Sequence, residues 1–475
     1  MRKIYIITSL ISLIILIPIF LVLFNQNTKN FIKDNILVFE KVAELEEALL
    51  DASNQLKEVA DKNFKLEEIQ DIQEQYIFEI QKNKIYDESQ FTFYKNMYYR
   101  EELDGVDIDF KRFTLPMLKN HGPRAYMAID TNNLFLVTGT GVLMYNSIDN
   151  IEEEKFVFKK IKTNFEEIVD PTHQQSKYVV KHILVLDNKI FLSYVKKVKE
   201  NCYTNIILFS EMKFDEIIWE EYFDTNECQA AFNHQSGGVL ADYKDNKLLL
   251  TIGDYGSYEE PVQGNNNPQI KEKLVGKIIS IDKTTKEYEV LSMGHRNPQG
   301  IYYDKVNDVI YSSEHGPQGG DEINVNSSPD DGIKNFGWGV SSYGEHYGFP
   351  SDDHVTQKKY ELAPLHKSHK DYGFEEPLKF FTPSIAPTQI IKNEKFIKYP
   401  DNHVLYLAAL GHKYQEGDQS IHQFILDKDL NILRHNILII YERVRDMVYI
   451  ERLNKIILFL ESTGSIGVLE IAESN

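Results

Sequence analysis

Ile301-Tyr302-Tyr303, then Asp304-Lys305-Val306-Asn307-Asp308, then Val309-Ile310-Tyr311: this stretch decides the fold. Two short runs of β-branched and aromatic residues flank an Asn/Asp turn, the pattern of a β-hairpin. Before it stands Gly294-His295-Arg296-Asn297-Pro298-Gln299-Gly300, and after it Glu314-His315-Gly316-Pro317-Gln318-Gly319-Gly320-Asp321-Glu322-Ile323-Asn324. Both flanking blocks are polar, glycine-bearing and too irregular for a helix face. A hairpin brings its two ends together. The Arg-Asn-Gln cluster and the Gly-Pro-Asp-Glu cluster are therefore expected side by side at one edge of a sheet.

The same unit recurs along the chain. Turns stand at Asn132-Asn133, Asp187-Asn188, Asp245-Asn246, Asn307-Asp308, Asp401-Asn402 and near Asn454, at intervals of about 52 to 62 residues with one interval of 94. Four-strand units of this size predict an all-β fold, and six of them a six-bladed β-propeller over residues 105–475. The long interval holds an irregular stretch, Ser341 to Phe374, read as a loop inserted over one face. Its His346, His354, His366 and His369 lack metal-ligand spacing and read as loop residues.

In a propeller the residues just before the first strand of each unit, and just after the second, gather at one mouth of the central channel. Those positions hold His234 and Asp254, Arg296 and Asn297, Gly316 and Pro317, Lys413, and Arg443 and Arg445. His234 and Asp254 flank one hairpin; a carboxylate on one imidazole nitrogen fixes the tautomer and makes the other a better base. The guanidiniums of Arg296, Arg443 and Arg445, with Lys413, suit a ligand bearing several carboxylates or phosphates. The carbonyls of Gly316 and Pro317, near Asp321 and Glu322, are hard oxygen donors of the kind calcium prefers. A base, a polyanion pocket and a calcium turn together point to an anionic redox cofactor.

Seven motifs carry a resemblance to a known family: HQSGG (234–238), TIGDYG (251–256), GHRNPQG (294–300), EHGPQGGDEIN (314–324), NFGWGVSSYG (335–344), TPSIAP (382–387) and ERVRD (442–446). In order and spacing the chain resembles the soluble quinoprotein glucose and aldose sugar dehydrogenases, the glucose/sorbosone dehydrogenase domain, over roughly residues 110–470. The resemblance implies a six-bladed propeller with pyrroloquinoline quinone (PQQ) lying over a calcium ion. It implies oxidation of an aldose at its anomeric carbon to a lactone, with electrons passed on to a quinone or a cytochrome. His234 matches the general base and Asp254 the carboxylate that orients it. Arg296, Asn297, Arg443 and Arg445 match cofactor contacts, and Gly316 and Pro317 the calcium-binding carbonyls. Lys413 matches the cofactor lysine with a displacement introduced by Gly411-His412. The chain departs from the pattern at His315, at one extra glycine (Gly238) and in the 341–374 loop. A second reading stays open: a non-catalytic extracellular calcium-containing propeller that binds carbohydrate or protein. A calcium-dependent lactonase would need central carboxylate and amide ligands from several blades, and no such set assembles.

The N-terminal part is a different object. Ile4 to Phe24 is free of charge and long enough to span a bilayer, with Arg2 and Lys3 before it. Residues 1–30 are therefore expected as an uncleaved membrane anchor with the body of the chain in the periplasm or outside the cell. Residues 31–95 read as a helical stalk. Val42, Leu45, Leu49, Ala52, Leu56, Val59, Asn63 and Leu66 follow heptad steps, which fits either a coiled coil that makes a homo-oligomer or a single spacer helix. A net charge of −20 argues against nucleic-acid binding. The only two cysteines, Cys202 and Cys228, flank neighbouring strand segments just before His234. Outside the cytosol a disulfide between them is expected, two buried thiols being the alternative.

Overall fold

The computed structural model describes residues 88–473 apart from 116–117, 119–123, 152, 170–178, 200–201, 230–234, 257–266, 348–356, 358–359 and 362. The expected anchor (1–30), nearly all of the expected stalk, and His234 lie outside the described residues. Among the described residues no helix is long and apolar enough to cross a membrane.

The fold is all-β and propeller-like. Six antiparallel four-stranded units follow one another along the chain, and their innermost strands are Ala125–Ile129, Val180–Leu186, Gly237–Tyr243, Pro298–Asp304, Pro387–Lys392 and Val444–Ile450. Each innermost strand packs against the next, and the sixth packs against the first, so the ring closes. The turn residues explain the hairpins of the second and third units. Asp187-Asn188 and Asp245-Asn246 take positive φ at both positions (48° and 61°, 54° and 60°), the geometry whose twist matches the flanking strands. In the fifth unit the Asp401-Asn402 turn ends a longer connection, because the strands it joins stop at Lys392 and resume at His403.

The ring is closed by the N-terminal side of the domain. Val106–Thr114 forms the outer strand of the sixth unit, antiparallel to Ser465–Ile471. Gln90–Leu103 folds back on it and also pairs with Lys155–Thr163, the outer strand of the first unit. This strand crosses the expected stalk limit of 95 and begins well before the expected propeller start at 105. Residues 90–95 are strand, because Phe91 and Phe93 alternate into a buried cluster with Phe113, Phe156 and Phe158. Burying one such ring contributes about 1.5–3 kcal/mol, which outweighs the weak helical bias of a short polar run. Asp446 adds a polar clasp to the seam, its Oδ2 accepting the Met127 N–H at 2.6 Å.

The long connection of the fourth unit runs from Asn326 to Lys379. It first adds the short strand Lys334–Asn335 in parallel to Ser292–Met293 of the third unit. Two histidines read as loop residues are buried by it. His346 donates to the Ala363 carbonyl (2.7 Å), and His369 pairs with Glu322 (3.1 Å).

Cys202 and Cys228 are joined, with Cα atoms 4.8 Å apart across 26 residues of chain. Beside them Tyr203 and Gln229 exchange main-chain hydrogen bonds of 2.9 and 3.0 Å. Peptide mapping of protein isolated without reductant should show Cys202 linked to Cys228. The replacement Cys228→Ser should lower the unfolding free energy by about 2–4 kcal/mol. Two alkylatable thiols in unreduced protein would reject the bridge.

Candidate active site

The residues that enter each innermost strand, and those that leave its partner, meet at one mouth of the ring. In the fourth unit Pro298 pairs with Glu314, the His315 N–H donates to the Asn297 carbonyl (3.2 Å), and an Arg296 guanidinium N–H reaches the His315 carbonyl (3.2 Å). The two polar blocks flanking the hairpin thus lie side by side.

Three guanidiniums share one buried carboxylate at this mouth. Arg445 donates from Nε to Glu461, Arg443 reaches Glu461 at 3.3 Å, and Arg124 lies 3.5 Å from it. Burial raises the Glu461 carboxyl, but the charges of Arg445, Arg124 and Arg443 overcome it and hold the group at about 2. Arg445 stays charged despite its burial because Glu461 faces it, and its Nη1 also reaches Gln299 Oε1 at 3.3 Å. Lys181 is buried next to this group; desolvation, with Arg124 and Arg445, pushes its ammonium well below the usual lysine range. Lys181 also explains the extra glycine. Gly238 has φ +100°, and a Cβ there would stand 2.5 Å from Lys181 Cβ. Among the described residues three guanidiniums thus stand on this one carboxylate, in a chain of net charge −20.

Arg296 is buried, its guanidinium 5.4 Å from the Trp338 ring and 5.9 Å from the exposed ring of Tyr347. Asn297 accepts at Oδ1 from Gln299 (2.9 Å) and from the Gly237 N–H (3.4 Å), tying the fourth unit to the entry of the third. Asp254 is fully buried and accepts from the Gly256 N–H on Oδ1 (2.8 Å) and from Trp338 Nε1 on Oδ2 (2.9 Å). His234 is not described, but the residue after it is. The Gln235 carbonyl accepts the Tyr255 N–H at 2.9 Å, so the chain leaving His234 is pinned to the Asp254 turn. Gly253 permits this approach, since a Cβ there would meet the Gln235 oxygen at 2.1 Å.

The Gly316-Pro317 turn is held from behind by Asp321. That carboxylate accepts from the N–H groups of Gly316 (2.8 Å), Ile385 (2.8 Å) and Ala386 (2.7 Å) and from Ser384 Oγ (3.2 Å). Burial drives its pKa up to about 7 against the pull of those donors. Among the described residues no three acidic, His or Cys side chains converge as a metal set. A hard cation at this turn would need main-chain oxygens together with oxygens of a bound ligand. Gly316 itself tolerates no side chain, as a Cβ would lie 2.1 Å from the Gly320 oxygen.

Lys413 is not brought into the cluster: its side chain is exposed and paired with Glu416 at 2.9 Å. Its loop instead offers Arg443 the Gly411 carbonyl (3.0 Å) and His412 Nε2 (3.2 Å). His315 donates from Nε2 to the Pro387 carbonyl (2.8 Å); burial and the adjacent Arg445 and Arg296 push it down to about 3, so it is neutral. Sequence reasoning missed Arg124, Glu461 and the role of Trp338. Arg124 stands just before an innermost strand and Glu461 just after a second strand, the positions the mouth rule names. Trp338 carries no positional signal, because it arrives on the long connection.

Comparison with known proteins agrees with the fold. The family model described as Glucose / Sorbosone dehydrogenase matches residues 184–465. An uncharacterized protein of Synechocystis sp. is 29% identical over 247 residues, covering 48% of this chain and 54% of the relative. The aldose sugar dehydrogenase YliI of Escherichia coli is 28% identical over 199 residues, covering 38% and 46%. The chain thus spans about half the length of the curated relatives it matches. A crystal structure of glucose dehydrogenase superposes with a TM-score of 0.56 at 18% identity, covering 74% of this chain and 99% of that one. The PQQ-bound aldose sugar dehydrogenase of Streptomyces coelicolor gives 0.51 at 16% identity, covering 73% and 94%. At these identities the structural likeness speaks for the fold. The family match covers more than half of the chain, from the second unit to the last, and on that ground the chain belongs to the glucose/sorbosone dehydrogenase family.

Proposed function

We propose that the protein is a membrane-anchored, exported dehydrogenase that oxidises the anomeric carbon of an aldose to a lactone with PQQ and calcium. The observation that carries this reading is the mouth itself. Three guanidiniums on Glu461, that of Arg445 buried, stand with a buried Asp254 and a carbonyl-bearing Gly-Pro turn. A polyanionic planar cofactor suits that set. Arg296, Asn297, Arg443 and Arg445 would hold its carboxylates and polar edge, and Lys413 would join them only by leaving Glu416. Gly316 and Pro317 would offer carbonyl oxygens to the calcium. Bound there, the quinone supplies a two-electron acceptor for hydride. His234 would take the proton of the anomeric hydroxyl, and Asp254 would hold the imidazole in the tautomer that accepts it. The segment 1–30 would anchor the domain, a helical stalk ending before the strand at Gln90 would space it from the bilayer, and a quinone or cytochrome would remove the electrons.

One experiment tests the reading on the full chain. Expressed protein should sediment with membranes. After detergent extraction and addition of PQQ and calcium, it should reduce an artificial electron acceptor when given aldoses. No quinone binding despite calcium would favour the non-catalytic propeller that binds carbohydrate or protein. Recovery in the soluble fraction would remove the anchor and leave the chemistry.

A further inference from the structure

Trp338 is placed by an unusual route. The connection leaving the fourth unit returns to the third, pairs Lys334–Asn335 with Ser292–Met293, and then delivers the indole across to the Asp254 turn. The residue is nearly fully buried and held from every side. Its main-chain N–H donates to the Gly294 carbonyl (3.0 Å), its main-chain carbonyl accepts from Gln269 (2.6 Å), and its ring packs with Ala363 and Leu365. Gly337 makes the turn possible, with φ +86° and no room for a Cβ against Ser341 Oγ at 2.1 Å.

A core tryptophan usually satisfies its N–H on a carbonyl or water. Here the N–H points at a fully buried carboxylate, and the ring face lies against a buried guanidinium. Asp254 and Arg296 are themselves linked, the Asp254 N–H donating to the Arg296 carbonyl at 2.7 Å. Behind Arg296 its own N–H donates to Glu314 Oε2 (2.7 Å), and Glu314 pairs with His295 (3.0 Å). We propose that Trp338 is a positioning residue that keeps two halves of the site in register: its edge fixes Asp254, the carboxylate that orients the base, and its face fixes Arg296, a cofactor contact. This rests on the proposed pairing of His234 with Asp254, and it is tested in the ligand-free protein.

The two roles separate by substitution. Trp338→Phe keeps a ring face and removes the N–H donor. Trp338→Leu removes both. Without the donor, the negative charge of Asp254 is less dispersed and favours the imidazolium of His234. The pH at which His234 becomes a neutral base then rises. In the ligand-free full chain, modification of His234 by diethylpyrocarbonate, mapped by mass spectrometry as a function of pH, should show its midpoint move upward in Trp338→Phe. In an Asp254→Asn background the same change should have no further effect. A merely structural tryptophan would move neither midpoint.

The chain holds only two tryptophans, so in a Trp219→Phe background the fluorescence of Trp338 reports PQQ binding directly. In the dehydrogenase assay Trp338→Phe should lose about 10-fold or more in turnover, as for other lost charge-assisted hydrogen bonds, with quinone affinity nearly kept. Trp338→Leu, titrated by loss of quinone absorbance from solution, should also weaken the quinone by about 2- to 30-fold. An unmoved His234 midpoint in a normally folded Trp338→Phe protein, where Asp254→Asn alone does move it, overturns the proposal; if Asp254→Asn moves nothing either, it is the pairing of His234 with Asp254 that fails. A moved midpoint in a protein that binds no quinone keeps the link and removes the dehydrogenase reading instead.

Discussion

Replacing His234 with Ala should lower turnover by about 10²- to 10⁴-fold, the range typical of a lost general base, while quinone and calcium binding persist. The groups proposed to bind them lie elsewhere: Arg443 and Arg445 at the sixth unit, Arg296 and the Gly316-Pro317 turn at the fourth. No substitute base stands ready among the described histidines at the mouth. His315 donates its Nε2–H to the Pro387 carbonyl and is held at about 3, far too weak a base to replace His234, and His412 has its Nε2 lone pair engaged by Arg443. Asp254→Asn should cost less, since the amide oxygen still accepts from one of the two donors, Gly256 or Trp338, while the imidazole loses its proposed charged partner. The measurement is kcat and kcat/KM against pH for wild type and both variants, with quinone affinity determined separately. Undiminished aldose oxidation by His234→Ala with normal cofactor binding would sink the mechanism.

Replacing Glu461 with Ala should destabilise the domain by about 3–5 kcal/mol, the cost of removing one partner from a buried ion cluster. Arg445 is nearly fully buried, and Arg124 and Arg443 stand on the same carboxylate. Without it three guanidiniums repel one another where water reaches poorly. The pH dependence has a definite sign. The folded-state pKa of Glu461 is depressed to about 2 by those guanidiniums. Its stabilisation is therefore full above the ordinary carboxylate range and disappears as pH falls toward 2. Urea unfolding of both proteins from pH 7 downward should show a gap that narrows below about pH 4.5 as the unfolded-state carboxylate takes up its proton. A gap that is small at pH 7, or that widens in acid, would show that Glu461 does not carry the cluster. Bound quinone should narrow the gap as well, because its carboxylates would face the same arginines.

Much of the fold was legible because hairpins are local. Asp187-Asn188 and Asp245-Asn246 announce their turns through residues that tolerate positive φ, and the β-rich runs on either side name the strands. Counting such turns predicts six units without any long-range knowledge. The same rule placed Arg296, Asn297, Gly316, Pro317 and Arg445 at one mouth, where the structure has them. It was read on too few units: the positions that yielded Arg443 also hold Arg124 in the first unit, and those that yielded Gly316 also hold Glu461 in the sixth. The stalk boundary at 95 failed for a different reason. Whether Phe91 and Phe93 extend a helix or start a strand depends on the Phe113–Phe156–Phe158 cluster that receives them, and those partners are remote in sequence.

By itself the sequence determined the strand-turn-strand repeat, the all-β class and the residue types gathered where successive units begin, since each depends on neighbours a few positions away. Only the tertiary structure decided which charges meet. Lys413 turns outward to Glu416, while Arg124, Arg443 and Arg445 converge on Glu461 across the seam between the last unit and the first. It also decided that a tryptophan on a long irregular connection comes back to Asp254. Electrostatic pairing and indole placement depend on distances of a few ångströms between segments far apart in the chain, and ring closure sets those distances.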